Sequence, residues 1–260
     1  MGGEVFLNIL SGEIMSISPQ TQDKSTVLKD PRYLEVTYSA ERAPFGEYPS
    51  LLARHLMETA YKKTGTLLDI GSGRGDFLDA FSRLGYEVSG TDISPLSVVG
   101  GGKQVKTCNL ECEPLPFQEN EFDFIFSKSV IEHLHSPHHL VSGAFRVLKP
   151  GGVAVIMTPS WAHTYWGPFY IDHTHVTPYT IPSLADVLQI AGFENISTNY
   201  FYQLPIIWKH PFLLPAIRLF SVLPFSYRPY ANARWSDSFN KLIRFSKEVM
   251  LLAICKKPLK

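Results

Sequence analysis

Leu67-Leu68-Asp69-Ile70-Gly71-Ser72-Gly73-Arg74-Gly75-Asp76-Phe77-Leu78 is the stretch on which the reading of this chain turns. An apolar run carrying one acid gives way to alternating glycines and then to an apolar segment led by a second acid. This order reads as a buried strand, a tight turn and the first turn of a helix. Glycines at such a turn let backbone N–H groups approach a ligand closely at the positive end of a helix. The dinucleotide fingerprint G-x-G-x-x-G uses the same device for a pyrophosphate. Here the spacing is G-x-G-x-G, and Asp76 stands where the third glycine would be. A carboxylate there repels a pyrophosphate, whereas Asp69 can receive an ammonium group. The pattern therefore disfavours an NAD-dependent oxidoreductase and favours a ligand that is not purely anionic.

Outward from this turn, the hydrophobic pattern alternates between helix and strand. Apolar positions at helical spacing (Tyr48, Leu51, Leu52, His55, Leu56, Thr59) predict a helix over 48–63, and the strand Thr66–Ile70 follows. A helix runs from Asp76 to about Leu84, with Gly85 as its cap. Strands are expected at Glu87–Thr91, Val105–Cys108, Phe122–Ser127, Val153–Thr158 and Asn195–Tyr202, with a last one at Val249–Cys255. Helices are expected near Ser94-Pro95, at His138–Leu148 and at Ile181–Ala191, the last with Pro182 at its start and Gly192 at its end. Phe122–Ser127 is nearly all apolar, as a central parallel strand covered on both faces should be. The alternation implies a doubly wound α/β sheet with ligands at the carboxyl ends of its strands. The expected organisation is an N-terminal extension or lid over 1–47, a ligand-binding core over 48–203, an apolar and basic helical insertion over 204–246, and the last core strand with a basic tail over 247–260.

Composition narrows the function classes. The chain has 260 residues, 45% apolar and 18% charged, with zero formal net charge, so it can bury a core and has no overall attraction for nucleic acid. The average hides an asymmetry: from Tyr200 onward ten Lys or Arg face only Asp237 and Glu248. Cys108, Cys112 and Cys255 have no zinc-site spacing and read as reduced thiols. No basic segment followed by an apolar run opens the sequence, and no run of about 18 apolar residues occurs, so neither a leader nor a spanning helix is expected. The expected location is the cytoplasm, with contact to the inner face of the membrane through 204–246 as one of two readings of that segment. In that reading its Trp, Phe and Leu enter the headgroup region while Arg218, Arg228, Arg234, Lys241, Arg244 and Lys247 meet anionic lipid or a pyrophosphate-linked acceptor. In the other it is a helical cap over the acceptor pocket.

Asp92 closes the second strand, 17 positions after Gly75, where an acid can accept both hydroxyls of a ribose. The alternative is a solvated loop acid or helix cap. Two further blocks accompany the glycine turn: Leu115-Pro116-Phe117 with Phe122-Asp123 and Glu132-His133-Leu134, and Leu148-Lys149-Pro150-Gly151-Gly152. In this order, over about Leu67 to Phe193, they resemble the class I S-adenosylmethionine (SAM) dependent methyltransferases, in the large group that includes quinone-type and glycan methyltransferases. The resemblance implies a Rossmann-like, mostly parallel seven-stranded sheet, with SAM as cofactor and S-adenosylhomocysteine as product. It implies that Asp69, Gly71, Ser72, Gly73, Gly75 and Asp76 wrap the methionine part of SAM. By the same resemblance Asp92 takes the ribose, Ile93 covers an adenine face, and Asn109-Leu110 flanks the adenine amino group. Asn109 departs from the acid usual at that place; its carbonyl can still accept the hydrogen bond. Main chain at Ser127 and Lys128 then lies beside the amino group and methyl of SAM.

Methyl transfer from a sulfonium needs positioning and, for a hydroxyl acceptor, a base. Histidine suits that role, and His133, His135, His138, His139, His163, His173 and His175 are candidates. Tyr170-Ile171-Asp172-His173-Thr174-His175-Val176-Thr177-Pro178-Tyr179 resembles a run found after strand five in methyltransferases of surface polysaccharide and O-antigen assembly. We therefore expect His175 as base or substrate ligand, oriented by Asp172, with His133 beside it. The alternative is that His175 pins its loop by bonding to backbone. Asp172, His173, His175 and His133 also suit a divalent ion by count, but the spacing is not diagnostic and no metal is expected. The expected function is O-methylation of a sugar hydroxyl in a surface glycan or lipid-linked intermediate. Alternatives are a quinone or isoprenoid small molecule as acceptor, or a SAM-binding partner protein without catalysis. The sequence leaves the oligomeric state open.

Overall fold

The computed structural model describes residues 46–93, 104–225, 227 and 237–259. Seven strands form one sheet in the order β3-β2-β1-β4-β5-β7-β6. They are β1 Thr66–Ile70, β2 Glu87–Asp92, β3 Gln104–Thr107, β4 Phe122–Lys128, β5 Leu148–Pro159, β6 Glu194–Phe201 and β7 Met250–Lys256. The first five pair in parallel, while β7 lies antiparallel between β5 and β6. The expected doubly wound, mostly parallel seven-stranded sheet is what the chain forms.

Strand alternation builds the two layers that cover the sheet. On one face Leu68, Ile70, Ile125, Ala154, Ile156, Leu251 and Ala253 pack beneath helices α3 (His138–Val147) and α5 (Ile181–Ile190). On the other, Leu67, Phe124, Phe126, Val155 and Met157 pack beneath α1 (Tyr48–Leu56) and α2 (Asp76–Arg83). The helix expected over 48–63 changes pitch instead of running through. Met57–Tyr61 is a π turn that drops Tyr61 into the core, where its hydroxyl donates to the Ile125 carbonyl at 2.8 Å. Lys62, at φ 62°, ends it.

Strand β5 begins earlier than expected, because Leu148 pairs with Phe122 before a register shift carries the chain past Lys149-Pro150-Gly151. The irregular segment after β5 contains α4 (Trp161–Thr164) and a 3-10 turn at Pro168–Ile171. Beyond β6 come α6 (Pro205–Lys209), α7 (Leu214–Ser221) and α8 (Asp237–Lys247). Tyr202, Leu204, Ile207 and Val249 form a small separate core with Leu214, Ile217, Leu242 and Phe245. Trp208 also stacks on His55 and tilts against Tyr48, joining α6 to α1. The helix expected near Ser94-Pro95, almost all of the 1–47 extension, and Arg228 and Arg234 lie outside the described residues.

Candidate active site

The glycine turn leaves β1 at the carboxyl edge of the sheet. Gly71, Gly73 and Gly75 all have positive φ (80°, 51° and 82°), so the turn is one that side chains would strain. Gly71 is also tightly enclosed: a Cβ there would lie 2.2 Å from Val130 Cγ2. Gly73 is the opposite case, with open space where its Cβ would point. The N–H groups of Gly71 and Ser72 both donate to the Thr91 carbonyl, at 2.7 and 3.0 Å, which ties the turn to β2. Gly73 N–H donates to Asp92 Oδ2 at 2.8 Å, so Asp92 braces the turn as well as standing at the expected ribose position. Asp76 forms an ion pair with Arg74 at 2.6 Å at the start of α2.

Asp69 is 2% exposed, and burial followed by the neighbouring Asp92 pushes its carboxyl up to about 8. Such a group is poised to ionise when a cation is brought against it. Ser127 is buried and its hydroxyl donates to the Ile70 carbonyl at 3.0 Å, joining the ends of β4 and β1. Burial lowers the Lys128 ammonium to about 8 against the pull of Glu132. Leu110 is buried in the core below the sheet edge, and Ile93 is half-buried.

Asn109 Oδ1 accepts the Glu111 N–H at 3.2 Å in a local turn, which leaves a second lone pair on that oxygen for a ligand. Among the described residues the buried Asn109 Nδ2 has no hydrogen-bond partner, nor has the buried Ser72 Oγ. Asn109 thus keeps both a donor and an acceptor lone pair to offer a ligand. These unpaired donors, the open space over Gly73 and a buried acid for an ammonium fit SAM.

The second half of the site is built by the turn after β4 and by the loop 170–179. Ile131–His133 forms a 3-10 turn whose Glu132 carbonyl accepts from both Val176 and Thr177 N–H, at 2.9 and 3.0 Å. The Thr177 hydroxyl donates to the Leu134 carbonyl at 2.6 Å. The loop is thereby fixed over the sheet edge, and the His133 and His175 rings meet edge to face with centroids 4.6 Å apart. His175 Nδ1 lies 2.6 Å from the Phe169 carbonyl. Pinning to backbone is therefore real at one ring nitrogen, and the other, Nε2, faces Glu132 Oε1 at 3.9 Å.

Asp172 meets His175 through its main chain, its carbonyl accepting the His175 N–H at 3.3 Å. Asp172 Oδ1 accepts from the N–H and hydroxyl of Thr174 at 3.0 and 2.7 Å, and the Thr174 hydroxyl in turn lies 2.7 Å from His133 Nδ1. Asp172 acts on His133 through Thr174, and on His175 through that main-chain bond and its charge. Burial lowers His133 to about 4, aided by His175, and burial also lowers His175, so both rings are neutral near pH 7.

Glu132 is the residue that sequence reasoning quoted without a role. It is 0% exposed, burial raises its carboxyl to about 7, and its Oε2 accepts from Thr158 at 2.9 Å. The signal was its place between an apolar strand exit and His133. The other candidate histidines stand apart: His173 is exposed, His135 bonds Glu111 at the surface, His138 bonds Ser142, and His163 bonds Ser160. A cleft lined by Lys62, Asp123 and Lys149 opens elsewhere, beside the amino-terminal end of β4, and holds none of these groups.

A seven-stranded sheet with one reversed strand and a glycine turn braced by a β2 acid at its carboxyl edge define the class as a SAM-dependent methyltransferase domain. The chain belongs to the methyltransferase domain family, which it matches over residues 40–198. It is 35% identical over 121 residues to an uncharacterized methyltransferase of Mycobacterium sp. (strain KMS), covering 44% of this chain and 45% of that protein. It is 27% identical over 162 residues to a ubiquinone biosynthesis O-methyltransferase of Ruegeria pomeroyi, covering 55% of this chain and 65% of that one. The match thus spans less than half the length of the mycobacterial relative. A SAM-dependent methyltransferase from Archaeoglobus fulgidus has the same fold, with TM-score 0.58 at 20% identity, over 88% of this chain and all of that one.

Proposed function

We propose that this chain transfers the methyl group of SAM to a hydroxyl of a sugar, in a surface glycan or a lipid-linked glycan intermediate. The observation that carries the reading is the Glu132, His133 and His175 group, gathered in the 3-10 turn that follows β4 and the loop 170–179. Asp69, Gly71, Ser72, Gly73, Gly75, Asp76, Asp92, Ile93, Asn109 and Leu110, with main chain at Ser127 and Lys128, are its SAM-binding residues.

In the reaction a lone pair of the acceptor oxygen forms a bond to the methyl carbon. The carbon–sulfur bond breaks, its electrons remaining on the sulfur of S-adenosylhomocysteine, and the hydroxyl proton leaves into the histidine–carboxylate group. Placement in line supplies most of the acceleration, and a base that is neutral near pH 7 supplies the rest. His175 meets the acceptor, His133 stands beside it, and Asp172 positions His133 by way of Thr174.

A lipid-linked acceptor also accounts for the surface of the 204–246 insertion. Phe212, Leu219 and Val222 are 75%, 68% and 74% exposed, and α7 buries no residue. Arg218 and Lys209 flank them, as an interfacial helix requires. Among the described residues no helix is long and apolar enough to cross a membrane. Failure to sediment with anionic vesicles at low salt would remove this part of the reading.

The name of the Ruegeria pomeroyi relative favours a second acceptor class, a phenolic quinone precursor. Radiolabelled methyl transfer from SAM to a panel of sugar diphospholipids, free glycosides and hydroxylated aromatics decides between them. Label in the aromatics alone refutes the sugar reading, and SAM binding without label in any acceptor leaves a binding protein.

A further inference from the structure

Glu132, His133 and His175 each offer one ligand atom, and these atoms lie within 4.8 Å of one another. Their hydrogen bonds fix which atoms are offered. The Phe169 carbonyl only accepts, so His175 carries its proton on Nδ1 and keeps its lone pair on Nε2. The Thr174 hydroxyl gives its proton to Asp172 Oδ1, so it receives the Nδ1 proton of His133, and that ring also keeps its lone pair on Nε2. The protein thus sets both tautomers the same way, through a carbonyl and a carboxylate-backed hydroxyl, which is how metal-binding imidazoles are held.

Glu132 completes the group. Its Oε2 is taken by Thr158, while Oε1 is fully buried, has no hydrogen-bond partner among the described residues, and lies 3.9 Å from His175 Nε2. That distance is too long for a hydrogen bond. It is the separation of two donors that share an ion, since ligands about 2.1 Å from one metal lie roughly 3–4 Å apart. A buried carboxylate oxygen left unpaired beside two imidazole lone pairs is costly unless something positive sits among them.

We propose that Glu132, His133 and His175 bind one divalent transition-metal cation, leaving open coordination positions toward the acceptor. Two imidazoles and one carboxylate suit manganese, iron, cobalt or zinc better than calcium. Asp172 and His173 are not part of the ligand set; Thr174, held by Asp172, orients His133 from behind. This inference rests on the acceptor-side reading above and deepens it. A cation there acidifies a bound hydroxyl as it does a bound water, and adjacent hydroxyls of a sugar offer a chelating pair to its open positions. In the loaded protein His175 Nε2 would be a ligand and not the base; the cation would acidify the hydroxyl, whose proton would pass to bulk water as its oxygen bonds the methyl carbon.

The test uses the full chain, stripped by dialysis against chelator and titrated with Co²⁺ alone. One equivalent is expected to bind per chain and give the visible d–d absorption of a nitrogen- and oxygen-ligated site. His175→Gln and Glu132→Gln are each expected to weaken binding at least tenfold. Thr174→Val, which touches no ligand atom of the ion, is expected to weaken it about 10–100-fold. Calorimetric binding of S-adenosylhomocysteine should be unchanged in all three, which separates loss of the metal site from loss of the fold. If Glu132→Gln does not fold, the partly exposed His175 variant and Thr174→Val carry the test.

No Co²⁺ binding at millimolar concentration, or equal binding by wild type and all three variants, overturns the proposal. If chelated protein methylates a sugar acceptor at an unchanged rate, the cation falls and the acceptor reading stands. If Co²⁺ binds as expected but no sugar is methylated, the metal site stands and the acceptor reading falls.

Discussion

Asp69→Asn should make this protein more stable while weakening its hold on SAM. Asp69 ends β1 almost without solvent contact, and burial with Asp92 nearby raises its carboxyl to about 8. In the unfolded chain the same carboxyl titrates near the ordinary value of about 4. Below pH 4 both states are protonated, and the group has no effect on stability. Between pH 4 and 8 the folded state holds about one proton more than the unfolded state, so stability falls as pH rises. The slope approaches about 1.4 kcal/mol per pH unit, which accumulates to about 4 kcal/mol at pH 7.

Asparagine has the same shape and no such cost. The variant should therefore gain about 2–4 kcal/mol over wild type at pH 7 and little at pH 4. Between pH 5 and pH 7 the gap between the two proteins should widen by about 2–3 kcal/mol. Urea unfolding of both proteins at pH 5, 6 and 7 measures this. The ligand side gives an independent check: an ammonium placed against Asp69 favours its ionised form. SAM binding at pH 7 should then release roughly nine-tenths of a proton, the fraction a group with a pKa of about 8 still holds. Calorimetry in two buffers of different ionisation enthalpy reads that release, and Asp69→Asn should abolish it. Parallel stability profiles for the two proteins would refute the argument that Asp69 is held protonated and waiting for a cation.

Gly71→Ala should lower SAM affinity more than tenfold and destabilise the fold, because its Cβ meets Val130 Cγ2 at 2.2 Å on a backbone of φ 80°. Gly73→Ala has no such clash, so thermal melts should show only the 1–2 kcal/mol of left-handed strain, while calorimetry shows SAM excluded by the new methyl. Asp92→Ala removes the acceptor of Gly73 N–H and the expected ribose contact, and should cost about 1–3 kcal/mol of SAM binding. His175→Ala should leave the SAM dissociation constant unchanged and cut turnover at least 100-fold in single-turnover assays. Loss of folding in that variant would mean that its bond to Phe169, and not its Nε2, is what matters.

The strand, turn and helix of the proposed cofactor half were legible because they are local. One strand, one glycine turn and one helix start lie within Leu67–Leu78, and only β2 must be added to bring Asp92 alongside. Strand pairing was less legible: Val249–Cys255 reads as a strand, but nothing in its pattern says that it enters antiparallel between β5 and β6. That placement is set by Leu251, Ala253 and Cys255 reaching one face while Met250 reaches the other. The change of pitch after Leu56 was hidden because apolar spacing cannot distinguish i→i+4 from i→i+5 bonding over five residues. Glu132 was passed over because an acid at a strand exit ordinarily reads as solvated, and its burial depends on Thr158 and on a loop some forty residues away.

The two halves meet in the seven residues that leave β4. Ser127 bonds the end of β1, and Val130 packs directly against Gly71, the first glycine of the SAM turn. Two residues later come Glu132 and His133, proposed above for the acceptor side. Just before Val130, Ser129 takes φ 58° and its N–H donates to the Met157 carbonyl, a left-handed turn in a non-glycine residue that swings the chain from the sheet edge into the 3-10 turn. Such backbone strain persists only where surrounding contacts enforce it. Here they are the β5 carbonyl on one side and, on the other, the Val176 and Thr177 N–H groups on the Glu132 carbonyl. A displacement of Val130 by a ligand over the glycine turn therefore cannot leave Glu132 and His133 where they were. This short covalent link gives a physical route by which the occupied cofactor side sets the distance from the methyl group to the acceptor side.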